Sequence, residues 1–203
     1  MRKYYLFILF AMTTVFAASL SSCKETDNEV EEFPNWQKTN EAYYDKKYAE
    51  VKQLVNGGAA DWKVLRSWSL DDKLATHSYD YVLANVLNAG TGSGCPLYTD
   101  SVKVNYVGRL MPTQSYADGL VFDHSGLYAE DDYVFNPQLS QPASFLVSNL
   151  IEGYSTALLH MHVGDRWRIF IPQELGYTSI STKVIPPYST LVFDLQLRAV
   201  MRP

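Results

Sequence analysis

The sequence predicts an α+β fold: a curved antiparallel sheet wrapped on one short helix, with a helical extension ahead of it. Three patterns carry that expectation. Leu150 to Tyr177 runs from an apolar helical turn, through a glycine reversal, into an alternating strand that stops at Pro172. Two further stretches, Val102–Arg109 and Leu191–Arg198, alternate between an apolar and a polar face, as strands of a sheet with one wet side do. A longer apolar rhythm at helical spacing, Tyr44, Tyr48, Val51 and Val55, lies well before them.

The chain opens on a processing segment. Arg2 and Lys3 give a positive start, Tyr4 to Ala18 is nearly all apolar, and small residues follow, so residues 1–22 read as a signal peptide. The apolar run is short of the about 20 residues that a membrane-spanning helix needs. Leu20-Ser21-Ser22-Cys23 resembles the lipobox of bacterial lipoproteins, which implies that Cys23 is acylated and becomes the new N-terminus. Residues 23–33 are an acidic tether: Lys24 to Glu32 has Val30 as its one large apolar group and buries too little surface to offset its ordering entropy.

Residues 34–78 form the extension. Thr39 or Asn40 is the expected helix cap, the Tyr44–Val55 face packs on the main domain, and Asn56-Gly57-Gly58 ends the helix. Trp62 to Trp68 alternates, with Trp62, Val64 and Trp68 on the apolar side, and is read as an added edge strand; Asp71 to Ser78 is loop. The main domain spans residues 79–203. Tyr79–Asn88 is a strand closed by the flexible turn Ala89–Gly94. Next comes a strand with Val102, Val104 and Tyr106 inward and Lys103, Asn105 and Arg109 outward. Residues 124–141 are a long insertion. Tyr154, Ala157, Leu158 and Met161 share a helix face, and Val163-Gly164-Asp165 stops that helix. From Arg166 the chain alternates, with Trp167, Ile169 and Ile171 inward. The last strand points Leu191, Phe193, Leu195 and Leu197 inward and Asp194, Gln196 and Arg198 outward.

Composition and spacing exclude several classes of function. The formal net charge is −5, and the loss of Arg2 and Lys3 with the leader takes it to −7; no basic cluster offers a nucleic-acid surface. His160 and His162 are separated by one residue, but His77 and His124 lie elsewhere without ligand spacing, so no metal is expected. Cys95 has no disulfide partner once Cys23 is lipidated, and nothing marks it as a nucleophile. The glycines at Gly90, Gly92 and Gly94 lack the lysine of a phosphate loop, Asp131 and Asp132 sit in a polar loop, and no nucleophile elbow occurs. What remains is a concave apolar site in outline, a short helix across a sheet with an aromatic in its first turn, and no cofactor is expected.

Five segments in order resemble the FKBP-type peptidyl-prolyl isomerases, over roughly Tyr79 to Val200. They are Val102-x-Val104-x-Tyr106-x-Gly108, Asp118-Gly119-x-Val121-Phe122-Asp123, Ile151-Glu152-Gly153-Tyr154 with Ala157-Leu158-x-x-Met161-x-x-Gly164, Ile171-Pro172-x-Glu174-Leu175-x-Tyr177, and Ile185-Pro186-Pro187-x-x-x-Leu191-Val192-Phe193-Asp194. The resemblance implies an FKBP-like sheet and isomerisation of X–Pro bonds. It implies pocket walls from Tyr106, Phe122 and Phe193, a floor at Tyr154 and a rim at Ile185. Its catalytic positions are Asp123, beside the twisting carbonyl, and two donors, the Ile151 N–H and the Tyr177 hydroxyl. The expected partners are proline-containing peptides or unfolded envelope proteins, and the membrane through Cys23. The expected state is a monomer, lipid-anchored in the cell envelope at the outer membrane. The insertion, Ala143 where many members carry an aromatic, and Thr178 where glycine usually follows the tyrosine support an alternative: a binding module or chaperone with little turnover.

Overall fold

The computed structural model describes residues 33–126 and 141–202; the leader, Cys23, residues 24–32 and most of the insertion lie outside the described residues. The elements are α1 (Trp36–Asn56), β1 (Trp62–Arg66), β2 (Tyr81–Asn88), β3 (Ser101–Leu110), β4 (Val121–His124), β5 (Ala143–Leu146), α2 (Glu152–Leu158), β6 (Arg166–Ile171) and β7 (Leu191–Met201). Short 3₁₀ turns at Ser78–Asp80, Val147–Asn149 and Gln173–Leu175 link them.

The strands make one sheet in the order β1-β2-β6-β7-β3-β4, every pair antiparallel. On its free side β3 is shared: β5 pairs with Ser101–Val104 and β4 with Val107–Arg109. The α+β fold is the one expected.

Alternation decides which side chains meet. Val102, Val104 and Tyr106, then Trp167, Ile169 and Ile171, then Leu191, Phe193, Leu195 and Leu197, form one core with Tyr154, Ala157 and Leu158 of α2. Met161 joins that core from the turn after α2, and Gly164, at φ 98°, makes the reversal into β6. The opposite face is not wet throughout. Leu83 and Phe170 point there and are buried with Tyr44 and Val51 of α1 in a second cluster. Asn105, also on that face, is fully buried, and neither atom of its amide has a partner among the described residues. Lys103 is exposed and Arg109 half-buried.

α1 starts one turn before the residues expected to cap it. Asn35 takes the left-handed conformation (φ 49°) and Trp36 is the first helical residue. Asn40 is diverted from capping to docking. Its Oδ1 accepts the Thr190 N–H (2.7 Å), and its Nδ2 donates to the Trp36 carbonyl (2.8 Å). The Trp36 indole N–H donates to Ser189 Oγ (2.9 Å), so the helix is tied to the start of β7 by buried hydrogen bonds. β1 is the edge strand expected, but it ends at Arg66, and Trp68 lies beyond it in a turn.

Asn40→Ala strands the buried Thr190 N–H, so it is expected to destabilise the protein by about 1–3 kcal/mol in urea unfolding with the m-value unchanged.

Candidate active site

α2 lies low on the sheet because Gly153 carries no side chain. A Cβ there would sit 2.3 Å from Ile171 Cγ2. That closeness brings the Tyr154 ring edge-on to Phe193 (centroids 5.1 Å) and to Tyr106 (6.3 Å). Phe122 meets the other side of Phe193 edge-on at 5.4 Å. Gly108 of β3 leaves room for that pair: a Cβ there would fall 2.6–2.7 Å from both rings. Two of the glycines in the resemblance are thus close-approach positions.

The rings enclose a cleft of about 220 Å³. Tyr106, Tyr154 and Phe193 form its inner wall, Phe145, Leu150 and Ile151 one flank, and Asp123, Asn149 and Tyr177 the polar part. Its size is below the ~300–1,000 Å³ of sites for drug-sized ligands. A larger hollow of about 550 Å³ lies between α1 and the sheet, but charged side chains such as Arg166, Arg168 and Asp194 line it.

The polar groups of the cleft are unequally satisfied. The Tyr106 hydroxyl donates to Asp123 Oδ2 (2.8 Å), and the other oxygen of Asp123 accepts the His124 N–H (2.8 Å). Ile151, the residue before α2, has its carbonyl occupied by the N–H groups of Tyr154 and Ser155. Its own N–H has no acceptor among the described residues. The Tyr177 hydroxyl is likewise without one, and the Tyr154 hydroxyl is buried with none. Burial raises all three tyrosines above the ordinary value, and Asp123 adds to the rise in each. They therefore stay protonated at neutral pH and can donate.

Of the residues expected at the site, Tyr106, Asp123, Ile151, Tyr154, Tyr177 and Phe193 line the cleft. Phe122 stands behind Phe193, and Ile185 is buried in the core; neither is in the cleft wall. Phe145, Asn149 and Leu150 were not anticipated. Phe145 was readable in principle: it follows Ala143 at strand spacing, so an aromatic turned to that face sits two residues on, its ring 5.9 Å from Tyr106. Thr178 holds φ 52°, the left-handed conformation that glycine adopts freely, which accounts for the glycine usual in the family at that place. Among the described residues no group of three or more His, Cys, Asp or Glu is placed to hold a metal ion.

A family model described as FKBP-type peptidyl-prolyl cis-trans isomerase matches residues 95–198, just over half of the chain. The chain belongs to that family. Every cleft residue falls inside the match, while α1, β1 and β2 fall outside it. The chain is 39% identical to the FKBP-type 22 kDa peptidyl-prolyl cis-trans isomerase of Escherichia coli (strain K12) over 117 residues, 57% of this chain and 48% of that protein. It is 34% identical to the outer membrane protein MIP of Legionella longbeachae over 118 residues, 58% of this chain and 43% of that one. It thus spans about half the length of these curated relatives. Among solved structures, a peptidyl-prolyl cis-trans isomerase from Pseudomonas syringae pv. tomato superposes with TM-score 0.52 at 27% identity, covering 79% of this chain and 96% of that one.

Two outcomes follow from the tyrosines of this FKBP-type cleft. Tyr154→Phe removes a buried hydroxyl that has no partner, so stability in urea is expected to stay level or rise by about 1 kcal/mol. Raised tyrosine values mean that above about pH 10 the unfolded chain releases protons the folded one keeps, so stability is full below that pH and falls above it. A Tm series across that range should show the decline, and it should be shallower in Tyr154→Phe.

Proposed function

We propose that this chain is a peptidyl-prolyl cis-trans isomerase of the cell envelope, lipid-anchored through Cys23 and acting as a monomer on X–Pro bonds of unfolded or proline-containing proteins. The observation that carries the proposal is the aromatic cleft with an unclaimed peptide N–H at Ile151 and an unclaimed hydroxyl at Tyr177. Isomerisation has a barrier of about 18–20 kcal/mol because twisting breaks amide resonance, and uncatalysed it takes roughly tens to hundreds of seconds. No bond to carbon is made or broken. The requirement is an environment that prefers the twisted, less polar amide over the planar one.

A proline ring seated against Tyr154, between Tyr106 and Phe193, leaves water for an apolar wall. There the planar amide loses more solvation than the twisted one. The Ile151 N–H and the Tyr177 hydroxyl hold substrate carbonyls on either side of the bond, which fixes the frame against which it rotates. Asp123 borders the carbonyl that turns. Tyr106 and the His124 N–H already occupy its two oxygens, so its role is orientation and field rather than proton transfer. Phe122 supports the wall from behind, and Ile185 packs in the core rather than at the rim.

Within this reading, residues 1–22 are removed, 23–33 are a tether, 34–78 extend the sheet and 79–203 form the isomerase domain, with residues 124–141 inserted beside Asp123. The leader and lipobox support the envelope location, and a relative is named an outer membrane protein. Several acyl chains on Cys23 would anchor firmly, since each buried CH₂ contributes about 0.8 kcal/mol. Cys23→Ser is expected to move the protein from the membrane to the soluble fraction on cell fractionation.

A proline-peptide isomerisation assay tests the activity. Tyr177→Phe removes one neutral hydrogen bond, about 0.5–1.5 kcal/mol, so kcat/KM should fall by no more than about tenfold. Phe122→Ala should lower it further by letting Phe193 relax and water enter. Wild-type rates in both variants would place the chemistry elsewhere, and peptide binding without acceleration would leave a binding module.

A further inference from the structure

Trp68 is 41% exposed, yet the segment around it is held by three hydrogen bonds to two residues of one helix. Its N–H donates to the Thr156 hydroxyl (3.2 Å), and the hydroxyls of its neighbours Ser67 and Ser69 both donate to the carboxylate of Glu152. Thr156 and Glu152 belong to α2, the helix that floors the cleft. The indole packs on Tyr98 with ring centroids 4.3 Å apart. Tyr98 is itself 37% exposed, and Leu97 beside it is 58% exposed. These hydrogen bonds thus fix the segment that holds the indole, with Tyr98 packed on it and exposed Leu97 next in sequence, toward water. Rigidly presented tryptophan and tyrosine are the side chains that dominate contact energy at interfaces, and contiguous exposed apolar patches mark such surfaces.

The patch is joined to the cleft by a short run of chain. The Tyr98 hydroxyl lies 3.5 Å from the Ser148 carbonyl. The next residues, Asn149 and Leu150, line the cleft, and Ile151 carries its free N–H. The arginines beside these two segments, Arg66 and Arg202, are paired with Asp72 and Asp100, which offsets the charge that draws a surface to an anionic bilayer. We infer that Trp68, Tyr98 and Leu97 form a second subsite, which takes an apolar side chain of the same unfolded polypeptide whose proline occupies the cleft. The inference rests on the isomerase reading of the cleft. It makes the substrate an extended apolar segment rather than an isolated proline: a second contact on a tethered chain raises the effective concentration of the first.

The test compares two peptides with the same central residues, a proline tetrapeptide and a longer one flanked on both sides by leucine and phenylalanine. For Trp68→Ser/Tyr98→Ser, the KM for the longer peptide should rise roughly tenfold while the tetrapeptide keeps its kcat/KM. Leu97→Ser, at a position too exposed to unfold the domain, should raise the longer peptide's KM by about threefold. An unchanged KM for the longer peptide in both variants overturns the inference, and so does an equal loss for the tetrapeptide. So does an unchanged KM together with lost binding to phosphatidylcholine–phosphatidylglycerol vesicles, which would make the patch a bilayer contact. No turnover of either peptide by the wild type sinks the isomerase reading alone. Fluorescence anisotropy of the labelled longer peptide then decides the subsite, which stands if the variant binds roughly tenfold more weakly and falls if both bind alike.

Discussion

Gly153 meets Ile171 so closely that a single Cβ would collide at 2.3 Å, and the depth at which α2 sits on the sheet depends on that bare spot. With the helix lowered there, Tyr154 reaches Phe193 and Tyr106, and its free end places the Ile151 N–H at the mouth of the cleft. A helix raised by one methyl group would lift the floor, part the edge-on rings and turn the donor away. Gly108 plays the matching part on the sheet side, where two phenylalanine rings fill the space that a side chain would take. Dense interiors do not absorb such volume changes locally, so both positions act on the whole cleft.

The cleft also sorts its polar groups into two kinds. Asp123 and Tyr106 satisfy each other, which keeps an exposed carboxylate oriented at the edge of an apolar wall. The Ile151 N–H and the Tyr177 hydroxyl have no acceptor among the described residues, and in the proposed reading an incoming backbone supplies it. On the proposed reading, such a site gains its effect from shape and from such preset donors. The buried hydroxyl of Tyr154 belongs to neither kind and has no partner among the described residues.

The extension does more than precede the domain. α1 seals Leu83 and Phe170 on the back of the sheet, its Tyr44 hydroxyl donates to the Tyr81 carbonyl (2.6 Å), and Asn40 joins it to Thr190 ahead of β7. β7 carries Phe193, so these residues are hydrogen-bonded just ahead of the strand that forms one wall of the cleft. The loop after β1 then sets Trp68 against α2, and residues outside the family match thereby touch the helix at the heart of the site.

Much of the architecture was legible in the sequence. Alternation placed Trp167, Ile169 and Ile171 inward, Pro172 ended β6, and Gly164 marked the reversal before it. The start of α1 was misplaced because Asn40 has good capping chemistry, and nothing local reveals that its amide is engaged with Thr190, 150 residues away. Asn105 reads as outward and wet by period, yet is buried. Phe122 and Ile185 match the family's pocket positions, but packing sets one behind Phe193 and the other in the core, while Phe145 takes part in the wall.

By itself the sequence determined the strands, the short helix and their inward faces, because periodicity and turn chemistry are properties of neighbouring residues. Only the tertiary structure decided which rings share one hollow, which hydroxyl finds a carboxylate and which tryptophan is held out to solvent. Those outcomes depend on sheet register and on the depth of one helix, and both are set by contacts between residues far apart along the chain.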